Sequence, residues 1–67
     1  MENTNVEKPQ VTLVGEDGNV FNLIAICSRA LKRVGQRDKA SEMSARCFSA
    51  GSYDEALQIM MEYCDID

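Results

Sequence analysis

The residues from Asn19 to Gly35, NVFNLIAICSRALKRVG, decide the fold of this chain. Their apolar side chains recur at the i, i+3, i+4, i+7 spacing of an amphipathic helix, from Val20 to Val34. Asn19 is a residue type that caps helix N-termini, and Gly35 is well placed to end the helix in a left-handed conformation. Basic residues in the last turns complement the helix dipole. The pattern predicts a central helix over Val20–Val34.

Two further segments, Lys39–Ala50 and Tyr53–Cys64, carry the same helical period. Asp38 is the expected cap of the second helix, and Gly51 is its expected stop. The run from Ser52 to Glu55 matches the capping box, in which the serine and the glutamate each accept a hydrogen bond from an orphan backbone N–H. It predicts the start of a third helix. The residues expected on the buried stripes of these two helices are Ala40, Met43, Cys47, Phe48, Ala56, Leu57, Met60, Tyr63 and Cys64.

The stretch before the central helix favours a short strand and a turn. Residues 10–14 alternate in the manner of a strand and are rich in β-branched side chains. Residues 15–19 are turn-like, because Asp17-Gly18 tolerates positive φ. The chain then either folds back as a hairpin or enters a helix capped by Asn19, and the four-turn apolar period favours the helix. The strand needs a partner, which is the C-terminal tail, a second copy of the chain, or solvent.

Together these signals predict a mainly α fold, in which a short N-terminal β-strand leads into a compact three-helix bundle. The weak alternation of Tyr63–Ile66 leaves open a small two-stranded pairing with the C-terminal tail. With 67 residues the chain is expected to form one domain, over residues 11–67, after a flexible tail over residues 1–10. A domain of this size buries only about 60% of its unfolded surface.

Targeting and cysteine signals indicate a cytoplasmic protein without membrane association. No stretch approaches the roughly 20 apolar residues of a membrane span, and the N-terminus lacks the pattern of a signal peptide. The cysteines, Cys27, Cys47 and Cys64, are odd in number and far apart, and the chain has no histidine. This fits neither a disulfide scaffold nor a zinc site, so buried free thiols are expected. The alternatives are a shared metal or redox site, an intermolecular disulfide, or a reactive thiol.

The sequence offers no catalytic constellation, so we expect neither an enzyme nor a cofactor. No serine or cysteine lies beside a plausible base. Asp54 and Glu55 occupy the first turn of a predicted helix, where acidic residues favour the dipole. The run from Glu16 to Asn19 is shorter than the roughly twelve residues of a calcium loop.

Charge suggests a second class of function. The chain carries a net charge of −4, yet six of its seven basic residues lie between Arg29 and Arg46. A nucleic-acid-binding regulator would place the first two helices as a helix-turn-helix. The net charge and Glu42 within this face disfavour that interpretation. The candidate phosphate contacts are Arg29, Lys32, Arg33, Lys39 and Arg46.

The apolar residues that fall off the main stripes suggest an interface. About 20 apolar side chains on three short helices leave some exposed, and a lone strand invites pairing between chains. Phe21, Ile26, Ile59 and Met61 are the expected exposed positions on the helices. The candidate interface residues are Val11, Leu13, Phe21, Ile26 and Met61. The favoured function is a non-enzymatic interaction module, with a protein partner or a homo-oligomer.

Two resemblances accompany this interpretation. The run Ala50–Leu57 resembles the inter-helix corner G-x-Y-x-E-A-L of tetratricopeptide repeats, which implies a helical hairpin and no more. The opening V-x-L-x-G-x-D-G-N-x-F, from Val11 to Phe21, resembles a group of small bacterial and phage-associated proteins of unknown function. That group also has G-x-Y-D before its last helix, as in Gly51–Asp54. The likeness implies a shared fold and a phage or mobile-element origin, and it transfers no functional residue.

Overall fold

The computed structural model describes residues 8–66 of the chain. Three helices pack together, and two short strands pair beside them, so the predicted fold class is confirmed. In chain order the elements are β1 (Gln10–Val11), α1 (Val20–Arg33), α2 (Arg37–Phe48), α3 (Tyr53–Tyr63) and β2 (Asp65–Ile66).

Helix α1 forms as its sequence predicts, with a cap at each end. The side-chain oxygen of Asn19 accepts a hydrogen bond from the backbone N–H of Phe21 at 2.8 Å. At the other end Gly35 has φ of +81°, and its N–H bonds to the carbonyl of Lys32 at 3.0 Å. The N–H of the next residue, Gln36, bonds to the carbonyl of Leu31 at 2.8 Å. These two bonds are the Schellman arrangement, which satisfies the last carbonyls of the helix and turns the chain sharply into α2.

Helix α2 differs from its prediction at both ends. It begins at Arg37, so Asp38 lies inside the first turn and is not the cap. It ends at Phe48, before Gly51, and the described glycines with positive φ are Gly15 and Gly35 alone. The helix ends instead in a tightened last turn, in which the N–H groups of Ser49 and Ala50 each donate a hydrogen bond to the carbonyl group three residues earlier.

Helix α3 starts at the predicted capping box. Ser52 Oγ accepts from the N–H of Glu55 at 3.1 Å, and Glu55 Oε1 accepts from the N–H of Gly51 at 3.1 Å. The Glu55 side chain thus bonds the N–H of Gly51, the residue before the cap, and not that of the cap itself. The N–H groups of Gly51 and Glu55 both have a hydrogen-bond partner. The helix ends at Tyr63, and Cys64 is already extended.

The N-terminal strand is shorter than predicted and finds its partner within the chain. A turn closed by a 3.1 Å bond from Glu16 N–H to Leu13 O, with Gly15 at φ of +88°, redirects the chain after β1. The turn predicted over residues 15–19 therefore begins earlier, at Leu13, and the positive φ expected at Asp17-Gly18 lies at Gly15 instead. Strand β1 runs parallel to β2, with Val11 opposite Ile66. Of the three open alternatives, the C-terminal tail is the partner.

The predicted flexible tail, residues 1–10, falls mostly outside the described residues. Its last positions belong to the fold, because Pro9 accepts a 2.9 Å hydrogen bond from the N–H of Asp65 and Gln10 begins β1.

The core contains apolar side chains from all three helices and both chain ends, and no buried polar or charged residue is found within residues 8–66. Three predictions about it are wrong. Val34, on the apolar stripe predicted for α1, is exposed, because it follows the last residue of that helix. Ile59 is buried, because it continues the i, i+3, i+4, i+7 stripe that Ala56 begins on α3. Phe48 is exposed, because it is the last residue of α2 and the loop that follows does not cover it. The core members are Val11, Leu23, Ile24, Cys27, Ala30, Leu31, Ala40, Met43, Cys47, Ala56, Ile59, Met60, Tyr63 and Cys64.

Candidate interaction surface

An aromatic cluster lies at the end of the bundle where α1 begins, α2 ends and α3 begins. Phe21 and Phe48 are 63% and 62% exposed, and their ring centroids lie 5.9 Å apart with the planes tilted by 33°. Tyr53 is also exposed, and its hydroxyl donates to the carbonyl of Gly18 at 2.5 Å. We call Phe21, Phe48 and Tyr53 the aromatic end. Three of the six large exposed apolar side chains found in residues 8–66 meet here.

A groove of about 290 Å³ runs between these rings. Apart from Ser52 and the hydroxyl of Tyr53, the lining carries no polar side chain, and it carries no charged one. Small-molecule sites combine an apolar pocket with convergent polar groups that fix orientation. This open groove lacks that second feature, which favours contact with an apolar protein side chain. Its floor consists of Val20, Ile24, Cys47, Ala50 and Ala56.

The local sequence explains why the rings stay exposed. Phe21 lies in the first turn of α1, next to the residues that point into the core. The loop from Ser49 to Ser52 consists of small residues, which cannot cover Phe48. Exposure here therefore follows from the brevity of the connection between α2 and α3.

The segments that form the aromatic end are acidic. Residues 9–28 and 47–66 contain no lysine or arginine. Glu16 and Asp17 lie in the loop before α1, and Asp54 and Glu55 lie in the first turn of α3; all four are exposed. We call these four carboxylates the acidic rim.

The opposite end of the bundle is basic. Phe21 contacts Phe48, so α1 and α2 run antiparallel and their connection lies at the far end. Asp38 is the one carboxylate between Arg29 and Lys39. Val34, at the end of α1, is 49% exposed among the cations. We define the basic corner as Val34 with the exposed residues Arg29, Lys32, Arg33, Arg37 and Lys39.

Four of the five predicted phosphate contacts, Arg29, Lys32, Arg33 and Lys39, belong to this corner. Arg46 does not, because its guanidinium bonds both carboxylate oxygens of Glu62, at 2.7 and 3.2 Å, and the Tyr63 hydroxyl at 3.0 Å. The prediction for Arg46 as a phosphate contact is corrected: this side chain clamps α2 to α3.

The contacts that Arg46 makes with Glu62 and Tyr63 extend to a further residue, Glu42, and they shift the pKa values of Glu62 and Tyr63. The hydroxyl of Tyr63 donates to Glu42 Oε2 at 2.5 Å. Burial, and then the bond to Glu42, raise the pKa of Tyr63. The hydrogen bonds from Arg46 lower the pKa of Glu62. These groups line a polar groove of about 310 Å³, together with Lys8, Gln36 and Lys39.

The predicted interface residues separate into three sets by their burial. Phe21 and Met61 are exposed. Leu13 and Ile26 are half-buried and pack against the core. Val11 is 4% exposed, because β2 and α1 cover it, so its assignment to an exposed interface is corrected. The sequence analysis does not place Phe48, Tyr53 and Val34 among the exposed interface residues. Each of the three lies at a helix end, and that position is the sequence signal that could have indicated their exposure.

The three thiols are free and buried. Cys64 Sγ lies 3.8 Å from the carbonyl oxygen of Cys27, and Cys47 Sγ lies 3.7 Å from that of Ala56. Hydrogen bonding to Cys64, together with burial, raises the pKa of Cys27. Within residues 8–66 no group of three histidine, cysteine or carboxylate side chains is placed to hold a metal ion.

Comparison of the chain with known protein families, with curated proteins and with solved structures finds no match. None of the helices in residues 8–66 has the length and apolarity needed to cross a membrane. The functional proposal therefore depends on the aromatic end and the basic corner.

Proposed function

We propose that this chain is a non-enzymatic protein-interaction module whose contact surface is the aromatic end. The observation that carries the proposal is the exposed pair Phe21–Phe48, whose rings meet at a helix junction and leave most of their surface to water.

The energetics of apolar surface support this proposal. Full burial of a phenylalanine side chain is worth about 1.5–3 kcal/mol, so two largely exposed rings leave much of that free energy unused in the isolated chain. Scattered single apolar residues are normal on protein surfaces, whereas contiguous ones mark sites of interaction. Aromatic side chains at the centre of a patch are also typical binding hot spots.

The chemistry of the remaining side chains supports a non-enzymatic role. The chain has no histidine. Its thiols are buried, and burial protects a thiol from acting as a nucleophile. The proposed location is the cytoplasm, because three free cysteines suit a reducing compartment. A phage or mobile-element origin belongs to the proposal through the resemblance of residues 11–21, and neighbouring phage genes are its test.

A site-specific photo-crosslinker tests the contact surface. A benzoylphenylalanine at position 48 is compared with one at Gln58, an exposed position on α3 away from the buried stripe. We expect a covalent adduct on illumination in cells from position 48 and little from position 58. Its mass distinguishes a second copy from another protein. Equal yields at the two positions, or no adduct, would overturn the proposal.

The basic corner supports a second candidate, nucleic-acid binding, through its five exposed cations. Phosphate contacts release counterions, so binding to random duplex DNA would weaken steeply with salt. Absence of binding at low salt eliminates this candidate.

A further inference from the structure

We infer that the occupant of the aromatic end is the basic corner of a second copy of this chain, so that copies associate head to tail. This inference rests on the proposed function, because it assigns a partner to the same surface. The observation behind it is that one small bundle presents an apolar, acidic surface at one end and a basic surface at the other.

The apolar parts of the two surfaces match in form. Val34 is exposed at a tight corner, and it stands among cations with no other large apolar side chain beside it in the chain. The aromatic end offers an open apolar groove of about 290 Å³ with rings on its sides. A valine side chain that enters this groove removes apolar surface from water on both partners.

The charges around these apolar parts are complementary. The acidic rim lies on the two segments that adjoin the groove, the loop before α1 and the first turn of α3. Lys32, Arg33 and Arg37 lie close in sequence to Val34. Opposite charges at the rim of an interface steer association and exclude wrong partners. Two aromatic ends brought together would instead oppose their carboxylates. Charge therefore disfavours the symmetric dimer and favours the unlike pair.

The fold keeps the two surfaces from meeting within one chain. They lie at opposite ends of α1, whose 14 residues span about 21 Å. No other part of residues 8–66 covers either surface, so each copy can use both at once, and a contact between unlike surfaces continues into a ring or a filament. One apolar side chain entering a groove is far less than a standard interface of roughly 20–30 residues a side, so this association is weak and salt-sensitive.

Two charge-reversal variants test the inference. The rim variant carries Glu16→Lys and Asp54→Lys, and the corner variant carries Lys32→Glu and Arg33→Glu. Within residues 8–66 none of these four side chains makes a hydrogen bond or an ion pair. Lys32, Arg33 and Asp54 favour the dipoles of their helices, so each of these three reversals weakens its helix, and circular dichroism checks that the fold survives. Glu55 and Asp17 are left in place, because Glu55 completes the capping box and Asp17 Oδ1 accepts from the N–H of Asn19.

Sedimentation equilibrium of each protein at low and near-millimolar concentration gives the readout. We expect the unmodified chain to associate and each variant alone to associate at least about tenfold more weakly, since reversal replaces attraction with repulsion. An equimolar mixture of the two variants should form at least a one-to-one dimer, and the two reversed surfaces, which also carry opposite charges, allow it to grow further. In that dimer the intact corner of the rim variant meets the intact rim of the corner variant.

Three results would overturn the inference: an unmodified chain that stays monomeric, a corner variant that associates as tightly as the unmodified chain, or a mixture that does not associate. The proposed function fails separately. If position 48 still forms an adduct with another protein while the chain is monomeric, the aromatic end is an interface with a different occupant. If position 48 forms no adduct, the surface itself has been misassigned.

Discussion

Two alanine substitutions on one helix should lower the free energy of unfolding by different amounts, because one removes a core side chain and the other a side chain of the contact surface. Phe48 and Met43 both lie on α2, but Phe48 is 62% exposed and Met43 is fully buried. The buried two-fifths of Phe48 contributes about 1 kcal/mol. Its contact with the Phe21 ring adds about 0.5 kcal/mol. This is the lower end of the range for an aromatic pair, and it applies because both rings are exposed to solvent. Phe48→Ala should therefore cost about 1–2 kcal/mol.

Met43→Ala should cost more, because it opens a cavity in the core. Replacing a buried methionine with alanine typically costs about 2–5 kcal/mol. A 67-residue domain has only about 3–10 kcal/mol in total, so this variant approaches unfolding. Urea titration followed by circular dichroism, at protein concentrations too low for association, measures both values.

The reasoning is refuted if Phe48→Ala lowers the free energy of unfolding by as much as Met43→Ala does. Phe48 would then belong to the core, and its ring would not be available to a partner. A folded Phe48→Ala that self-associates as tightly as the unmodified chain would contradict the role of the aromatic end instead.

Three further predictions follow from single features of the fold. Gly35→Ala should cost about 1–2 kcal/mol, because φ is +81° there, whereas Gly18→Ala, without positive φ and with ordinary contact to Tyr53, should be nearly neutral in the same urea titration. Stability should fall as pH rises past the ordinary tyrosine pKa near 10, because the folded state raises the pKa of Tyr63 and keeps its proton while the unfolded chain loses it. Tyr63→Phe should flatten that slope, and an unchanged slope would contradict the assignment. The three buried thiols should react with a disulfide reagent only as fast as the chain unfolds, and rapid labelling in native buffer would show that the core is open.

Features set by neighbours in sequence could be predicted from the chain alone. Helix α1 and the start of α3 agree with their predictions because a cap is a local device: Asn19, Gly35 and the Ser52–Glu55 box act within a few residues. Helix α2 begins without a side-chain cap bond, so no local signal in the sequence marks its first residue. The predicted start, Lys39, therefore lies two residues after the observed one, Arg37.

Features set by distant residues could not be predicted in this way. The sequence predicts Arg46 as a phosphate contact, because charge along the chain does not show that Glu62 lies beside it. The sequence places Val11 at an interface, because the partner of its strand, Ile66, is 55 positions away in the chain. Phe21 could be placed at the surface from the helical period, whereas the exposure of Phe48 depends on a loop too short to cover it.

The most direct test of the central claim is a concentration series of backbone amide spectra. If copies meet head to tail, resonances should move in two separate groups, one at residues 20–21 and 48–53 and the other at residues 32–39, with the core unchanged. Movement at the aromatic end alone would contradict the pairing of unlike ends. Spectra that do not change up to millimolar concentration would contradict self-association altogether.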